Sequence, residues 1–247
     1  MSAEPLLRLA FGNAAADYER GRPEWPDEIA TVGRLSPDAE VLDLAAGTGK
    51  LTRVLARRFT HLVAVEPSAE MRALIAGVQA LDGSAESIPL ADSSLDGVFC
   101  AEAFHWFDWP RALDEIARVL RPGGLLVLCF NVPNGGDYLP LPEAAREIIE
   151  RYRRLGVEPG GKILESGAWR EPFADPASPF EPLCEESFEH VHVQDRDALV
   201  ARTLSTSIFA VLPAKERRTL GEELRTVTAD GTYRTPLRAE VWWTRMR

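Results

Sequence analysis

Residues 40–50 constrain this chain more than any other stretch, because an apolar run leads there into a turn of small residues. The segment Val-Leu-Asp-Leu at 41–44 is typical of a strand buried on both faces, and a helix is predicted over 51–59. Gly47 and Gly49 lack a Cβ, so the backbone between strand and helix can approach a ligand closely. The first turn of the helix also directs N–H groups toward that point. A small-ligand site is therefore predicted at this turn.

The spacing of the turn bears on which ligand it holds. A P-loop requires Gly-x-x-x-x-Gly-Lys-Ser/Thr, but Leu44 occupies the first glycine position and Leu51 follows Lys50. A dinucleotide fingerprint requires Gly-x-Gly-x-x-Gly, and its third position is Thr52, which is bulky for close helix–strand packing. The spacing therefore disfavours a phosphate-binding loop. It also weakens the case for a dinucleotide site, which stays open as an alternative.

The remaining pattern is Asp-x-Ala-x-Gly-x-Gly at 43–49, followed by Glu66 at the end of the next apolar run. It resembles the class I S-adenosylmethionine-dependent methyltransferases, and more narrowly their small-molecule group called methyltransferase type 11. The resemblance implies that the turn receives the methionine part of S-adenosylmethionine and that Glu66 holds the ribose hydroxyls, as acidic residues do in dinucleotide folds. The turn residues expected at the cofactor are Asp43, Ala45, Gly47 and Gly49. Glycine is more usual in the family at Ala45.

The N-terminal stretch resembles the family's lid helix through Phe11, Tyr18 and Arg22, which precede two prolines. The cofactor carries a carboxylate, and Arg22 follows Tyr18 by four residues, so that one helical face presents a guanidinium and a hydroxyl to it. The lid is expected to close over the cofactor. The alternative is a surface helix with a few packed aromatics.

Two further segments match the family's cofactor pocket. Pro67 follows Glu66, and Met71 either fills the core or lines the adenine or ribose pocket. Ser84 replaces the aspartate that typically contacts the adenine amino group, Ala85 offers its backbone N–H to the ring, and Glu86 is either a pocket residue or a solvated charge.

The segment after the fourth predicted strand resembles the family segment whose His-Trp pair flanks the cofactor. That strand ends at Ala101, and His105 and Trp106 follow. Parallel strands bind ligands at their carboxyl ends, beside the glycine-rich turn. His105 is expected to be either a hydrogen-bonded structural residue or a general base, and it is the one catalytic candidate.

The composition and charge of the chain limit the kinds of partner that it is expected to bind. The net charge is −10 and the sequence pI is about 5.0, which disfavours nucleic-acid binding and favours a small-molecule substrate. The absence of a signal pattern or long apolar run predicts a cytoplasmic chain with no membrane partner, and Cys100 and Cys129 are expected to be reduced core thiols. His190 and His192 should share one face of a strand, but two histidines make a poor zinc site, so no metal is expected. The oligomeric state stays unassigned.

The element order predicts an α/β fold. The alternation of strands and helices indicates a doubly wound, Rossmann-like, mostly parallel sheet. The resemblance implies seven strands with the last antiparallel, an N-terminal helical lid and a cap insertion. One methyltransferase domain is expected over 1–247, divided into lid (1–36), cofactor-binding core (37–132), cap and sixth strand (133–210), and last helix and strand (211–247). The later elements are predicted as helices over 68–75, 108–120, 143–155 and 196–210, a helix starting at Pro213, and strands over 125–130, 188–193 and 239–246.

The expected activity is methyl transfer from S-adenosylmethionine to a small molecule by in-line displacement, leaving S-adenosylhomocysteine. Since the sulfonium is a strong leaving group, positioning of the acceptor supplies much of the rate. A nicotinamide-dependent oxidoreductase and a non-catalytic S-adenosylmethionine-binding module are the alternatives.

Overall fold

The computed structural model describes residues 14–153 and 166–247, and the predicted lid residue Phe11 lies outside them. Its seven-stranded sheet has the order β3-β2-β1-β4-β5-β7-β6. The strands are β1 (Glu40–Leu44), β2 (His61–Val65), β3 (Gln79–Leu81), β4 (Leu95–Ala101), β5 (Leu120–Pro133), β6 (Cys184–Asp195) and β7 (Thr232–Arg245). Strands β1 to β5 pair in parallel. The last strand is antiparallel, so the predicted Rossmann-like, mostly parallel sheet of seven strands is confirmed.

Helices connect these strands. The described α-helices are α1 (Ala15–Gly21), α2 (Lys50–Ala56), α3 (Ala69–Arg72), α4 (Trp109–Val119), α5 (Glu143–Arg153), α6 (Glu171–Ala174), α7 (Arg196–Leu204), α8 (Ser207–Ala210) and α9 (Ala214–Val227). Within the described ranges, 3-10 helices span Asp27–Arg34, Phe104–Trp106 and Ala168–Arg170. Among the helices of the described ranges, none is long and apolar enough to cross a membrane.

The described residues divide into two compact units. The sheet unit comprises 25–131, 166–188 and 238–247, and the helical unit comprises 14–24, 132–153 and 189–237. The sheet unit therefore contains most of the predicted cofactor core, whereas segments of the predicted lid and cap belong to the helical unit.

The central strands of the sheet unit are buried on both faces, as the apolar run of β1 predicts. Leu42 and Leu44 belong to one core cluster, and Val41 belongs to the cluster on the opposite face. Likewise, Leu126 of β5 belongs to the first cluster and Val127 belongs to the cluster on the opposite face. Burying each such side chain fully contributes roughly 1.5–3 kcal/mol. Because β1 to β5 pair in parallel, their carboxyl ends lie at one edge of the sheet.

The helical unit is built on close contact between α1 and α7. A Cβ on Gly21 would lie 2.1 Å from the backbone nitrogen of Arg202, so only glycine permits this approach. His192 Nε2 lies 3.1 Å from the carbonyl oxygen of Gly21. As predicted, His190 and His192 share the inward face of β6, while Val191 between them is 45% exposed.

Several predicted boundaries were wrong. Strand β5 begins at Leu120, five residues before the predicted start, because Leu120 already pairs with Leu95 of β4 and residues 121–124 lie where the register shifts before Leu125 pairs with Gly97. Helix α3 ends at Arg72, three residues before the predicted end. Helix α7 ends at Leu204, where the Ser205 hydroxyl donates to the Arg202 carbonyl instead of the helix continuing.

Helix α2 ends at Ala56, three residues before its predicted end, and β6 and β7 begin at Cys184 and Thr232, four and seven residues before their predicted starts. Helix α5 begins at Glu143 as predicted, and residues 154–155 of its expected end lie outside the described ranges. Pro213 is the N-cap residue of α9, one position before the first turn. Cys100 and Cys129 are buried as predicted, and burial raises the pKa of both thiols, so they stay protonated.

Candidate active site

The turn after β1 adopts a backbone that its small residues permit. Gly47 has φ +58° and Gly49, the N-cap residue of α2, has φ +85°. Ala45 also adopts a left-handed φ of +56°, which costs a residue with a Cβ about 1 kcal/mol. The Gly49 N–H donates to the Ala46 carbonyl at 2.9 Å, which closes the turn, and the Ala46 N–H donates to the Val65 carbonyl at 3.1 Å. The turn is thereby attached to the end of β2.

Glu66 follows β2 and holds the turn from the other side. Its carboxylate Oε2 accepts from the Gly47 N–H at 2.8 Å, and Oε1 accepts from the Ser68 N–H at 2.9 Å. The side chain is buried, with 5% of the residue exposed. A carboxylate offers about four lone-pair sites, so holding two backbone amides is compatible with accepting from further hydroxyls. Arg72 donates to the Glu66 carbonyl at 2.6 Å and anchors this corner.

Asp43 lies beneath the turn and is 1% exposed. Its Oδ2 accepts from the Thr52 hydroxyl at 2.5 Å, which explains why threonine occupies the position that is glycine in dinucleotide folds. Within the described ranges, Asp43 Oδ1 and the Thr48 hydroxyl are buried without hydrogen-bond partners. Burial raises the pKa of Asp43, hydrogen bonding to Thr52 opposes this rise and the nearby Glu66 charge adds to it, and the resulting pKa is about 7.

The loop after β3 closes a tight turn in which Ser84 and Ser87 exchange backbone hydrogen bonds of 3.1 and 3.2 Å. Ala85 is buried at the centre of this loop. Glu86 Oε1 accepts from the Asp108 N–H at 3.1 Å, so Glu86 joins this loop to the start of α4.

The segment after β4 is built from aromatic residues. His105 is buried in the 3-10 helix, its ring lies 4.7 Å from the Trp106 ring, and Phe130 of β5 lies 6.1 Å away. Glu102 has a left-handed φ of +56°, and its Oε1 accepts from the Asn131 N–H at 2.7 Å, which joins the ends of β4 and β5. A left-handed residue with a Cβ directly after a strand is costly and marks a site whose geometry is fixed by its surroundings.

Tyr18 and Arg22 lie in the helical unit. The Arg22 guanidinium donates to the Ser205 hydroxyl at 3.0 Å and to the Ser205 carbonyl at 2.9 Å, and its Nη1 lies 3.4 Å from the Tyr138 hydroxyl. It also lies 5.1 Å from the centre of the Tyr18 ring, so one helical face presents both side chains as expected. Ser205 therefore holds this guanidinium in place.

Comparison with known proteins is consistent with this architecture. The family model described as "Methyltransferase domain" matches residues 42–128. An uncharacterized methyltransferase of Mycobacterium tuberculosis H37Rv is 38% identical over 233 residues, covering 90% of this chain and 87% of that protein. The chain belongs to the methyltransferase domain family.

Other relatives of this methyltransferase agree in length and fold. An uncharacterized methyltransferase-like protein of Schizosaccharomyces pombe is 34% identical over 231 residues, covering 90% of this chain and 87% of that protein. A solved structure of a candidate type II methyltransferase from Anaeromyxobacter dehalogenans has a TM-score of 0.61 at 23% identity, and the match covers 92% of this chain and 97% of that chain.

The sheet unit of the methyltransferase brings most of the predicted site residues to one edge. Those at or after the carboxyl ends of β1 to β4 are Asp43, Ala45, Gly47, Gly49, Glu66, Pro67, Met71, Ser84, Ala85, Glu86, Ala101, His105 and Trp106. Met71 is buried at 5% exposure on α3. Sequence reasoning missed Glu102 and Asn131, although a charged residue directly after a buried strand was a signal for the first. Among the described residues, no cluster of three histidine, cysteine or acidic side chains is arranged to hold a metal.

Proposed function

We propose that this methyltransferase transfers the methyl group of S-adenosylmethionine to a nucleophilic atom of a small molecule. The observation that carries the proposal is the pair of hydrogen bonds from Gly47 and Ser68 to Glu66. They hold a carboxylate at the end of β2, directly beside the glycine turn, where it can accept hydrogen bonds from both ribose hydroxyls. When bound, the cofactor supplies a methyl group on a positively charged sulfur that leaves readily.

The residues of the turn fit such a cofactor. The backbone at Gly47 has a left-handed φ and carries no side chain toward a ligand. Beneath it, the buried Asp43 Oδ1 and Thr48 hydroxyl have no hydrogen-bond partners among the described residues. Both atoms can therefore still form hydrogen bonds. A cationic ligand above Asp43 would favour its ionised form.

The other predicted residues supply the remainder of the pocket in this proposal. Pro67 and Met71 border the ribose and adenine, the Ser84 hydroxyl and the Ala85 N–H meet the adenine ring, and Glu86 fixes their loop through Asp108. Trp106 covers the cofactor beside Ala101, and Tyr18 and Arg22 receive its carboxylate.

His105 is the candidate base in this proposal. A base is needed only for an acceptor that still carries its proton, such as a hydroxyl or an ammonium group, and the His105 imidazole would take that proton during in-line attack. No side chain has to act as a nucleophile, so orientation of the acceptor supplies much of the rate. We further propose that residues 1–36 form a lid and 133–210 a cap within one functional domain.

Glu66 provides the direct test. Glu66→Ala should weaken binding of S-adenosylhomocysteine by roughly 1.5–3 kcal/mol, the range for hydrogen bonds to a charged group, as measured by titration calorimetry. Glu28→Ala, which removes an exposed carboxylate from the same unit, is the matched control and should bind normally. Gly47→Val should abolish binding, because a branched residue is strained at φ +58° and would occupy the ligand's space.

Three results would count against the proposal. Unchanged affinity in both variants would remove the turn and Glu66 as the cofactor site. Thermal stabilisation of the wild-type protein by NAD but not by S-adenosylhomocysteine would favour the oxidoreductase alternative. Binding without turnover across a broad panel of acceptors would favour the non-catalytic module.

A further inference from the structure

The loop between β3 and β4 carries residues 84–86 and is held at both ends of α4. At the start of α4, Glu86 Oε1 accepts from the N–H of Asp108, which is the N-cap residue of the helix, at 3.1 Å. In the last turn of α4, Arg118 bonds to the next part of the loop. Between 82 and 94 the loop contains a tight turn but no regular helix or sheet strand. Side chains of α4 therefore supply much of the hydrogen bonding that fixes its backbone.

Arg118 binds the loop through two backbone carbonyls. Its Nη2 donates to the Ile88 carbonyl at 2.9 Å, and its Nη1 donates to the Leu90 carbonyl at 2.9 Å. The Nη1 group also donates to the Asp92 carboxylate at 2.7 Å. A guanidinium presents its N–H donors in one rigid plane, so bonds to both carbonyls fix the backbone on either side of Pro89.

Glu115 binds the same part of the loop from the same face of α4. Its Oε2 accepts from the Ile88 N–H at 2.8 Å, and its two oxygens accept from Arg118 at 2.7 and 2.8 Å. Hydrogen bonds from Arg118 hold the pKa of the Glu115 carboxyl below its usual range, so Glu115 stays ionised at neutral pH. We call these two residues the Arg118–Glu115 pair.

The loop that this pair fixes is packed against the corner that carries Glu66. A Cβ on Gly83 would lie 2.6 Å from Pro89 Cδ and 3.1 Å from Val65 Cγ1. Pro89 and Val65 therefore both pack against the Gly83 backbone, and Glu66 directly follows Val65, the last residue of β2. A shift of Pro89 would consequently move the loop relative to Glu66.

We propose that the Arg118–Glu115 pair positions residues 84–86 for recognition of the purine ring of the cofactor. This inference rests on the proposed function, in which the Ser84 hydroxyl and the Ala85 N–H meet that ring. Both members of the pair act through the backbone of the loop and do not touch the cofactor. The pair therefore determines how strongly the protein prefers adenine to a purine whose edge carries different hydrogen-bonding groups.

S-inosylhomocysteine tests this role. An oxygen replaces the 6-amino group of its purine and N1 carries a proton, so this edge cannot accept from the Ala85 N–H as adenine N1 can. In calorimetry, the wild-type protein should bind S-adenosylhomocysteine about fivefold more tightly than S-inosylhomocysteine, the factor that one neutral hydrogen bond supplies. Arg118→Met should bring this ratio close to one. Arg118→Lys keeps the charge without the planar fork and should give an intermediate ratio.

Two further variants separate positioning from stability. Arg111→Met removes an exposed arginine from the same helix and should leave the ratio unchanged. A purely structural pair would lower the melting temperature of Arg118→Met and weaken both ligands by the same factor, so the ratio would stay at its wild-type value. If Arg118→Met does not fold, Glu115→Gln decides the question, because it keeps the size of the side chain, removes its charge and should also lower the ratio.

A wild-type ratio in Arg118→Met and Glu115→Gln, or equal binding of the two ligands by the wild-type protein, would overturn this inference. Glu66→Ala should weaken both ligands by the same factor, since both carry the same ribose. A wild-type protein that binds neither ligand would reject the proposed function and this inference with it. Binding of both ligands with an unchanged ratio in the variants would reject this inference alone.

Discussion

Asp43 should make the stability of this protein fall as the pH rises toward neutrality. The carboxyl group is 1% exposed and its Oδ2 accepts from the Thr52 hydroxyl, so removal of its proton places a charge in a buried site. Burial raises its pKa to about 7, whereas an unfolded aspartate has a pKa of about 3.9. The folded protein therefore keeps a proton that the unfolded chain has lost at any pH between these values.

The direction and the magnitude of the change in the free energy of unfolding follow from proton linkage. Where the native state binds more protons than the unfolded state, the free energy of unfolding decreases as the pH rises. A difference of about 3 pKa units corresponds to about 4 kcal/mol, lost progressively between about pH 4 and pH 7 and constant above that range. Asp43→Asn cannot ionise, so this component should be absent from the variant.

Urea unfolding at a series of pH values measures the effect. The free energy of unfolding of the wild-type protein, minus that of Asp43→Asn, should fall by several kcal/mol from pH 4 to pH 7 and then level off. The subtraction cancels the titration of the other carboxylates. Since the variant leaves an amide in a buried site, its absolute stability is not the criterion. Parallel curves for the two proteins would show that Asp43 is already ionised when folded and would refute the reasoning.

Three further predictions follow from the same geometry. Ala45→Gly should raise the free energy of unfolding by about 1 kcal/mol in urea denaturation, because glycine relieves the strain of the left-handed φ of +56°. Ala46→Gly, at a position where φ is not positive, should lower the free energy of unfolding. Equal effects of the two substitutions would exclude strain at Ala45. If His105 is a base, His105→Asn should lower turnover with little change in affinity for S-adenosylhomocysteine. The wild-type rate should then rise with pH as an imidazole loses its proton. A flat pH–rate profile, together with intact turnover in the variant, would show that His105 is not the base. Arg22→Ala should weaken S-adenosylhomocysteine binding in calorimetry. The control Arg20→Ala, which removes an exposed arginine paired with Asp195, should leave binding unchanged. Wild-type affinity in both variants would contradict the lid proposal.

The sequence by itself predicted the elements whose signals are local. The apolar run of β1 can be buried on both faces only within a covered parallel sheet, and Gly47 and Gly49 adopt the left-handed angles that their residue type permits. Glu66 was identifiable because an acidic residue directly follows a short apolar strand. These features depend on residues close together in the chain, so pattern and spacing suffice to predict them.

Tertiary structure decided the features that depend on distant partners. The sequence did not indicate that Thr52 would hold Asp43, that Glu66 would bind the Gly47 amide, or that Ser205 would end a helix and fix Arg22. The predicted start of β5 was wrong because Leu120 already pairs with Leu95 of β4, ahead of the irregular residues 121–124.

The stacking of Arg170 between Trp169 and Trp242 shows the same limit most clearly, because more than seventy residues separate the two tryptophans in the chain. No local periodicity encodes such a contact. It forms because the segment at 166–174 and residues 238–245 of the last strand pack within one unit, where close packing selects which side chains meet.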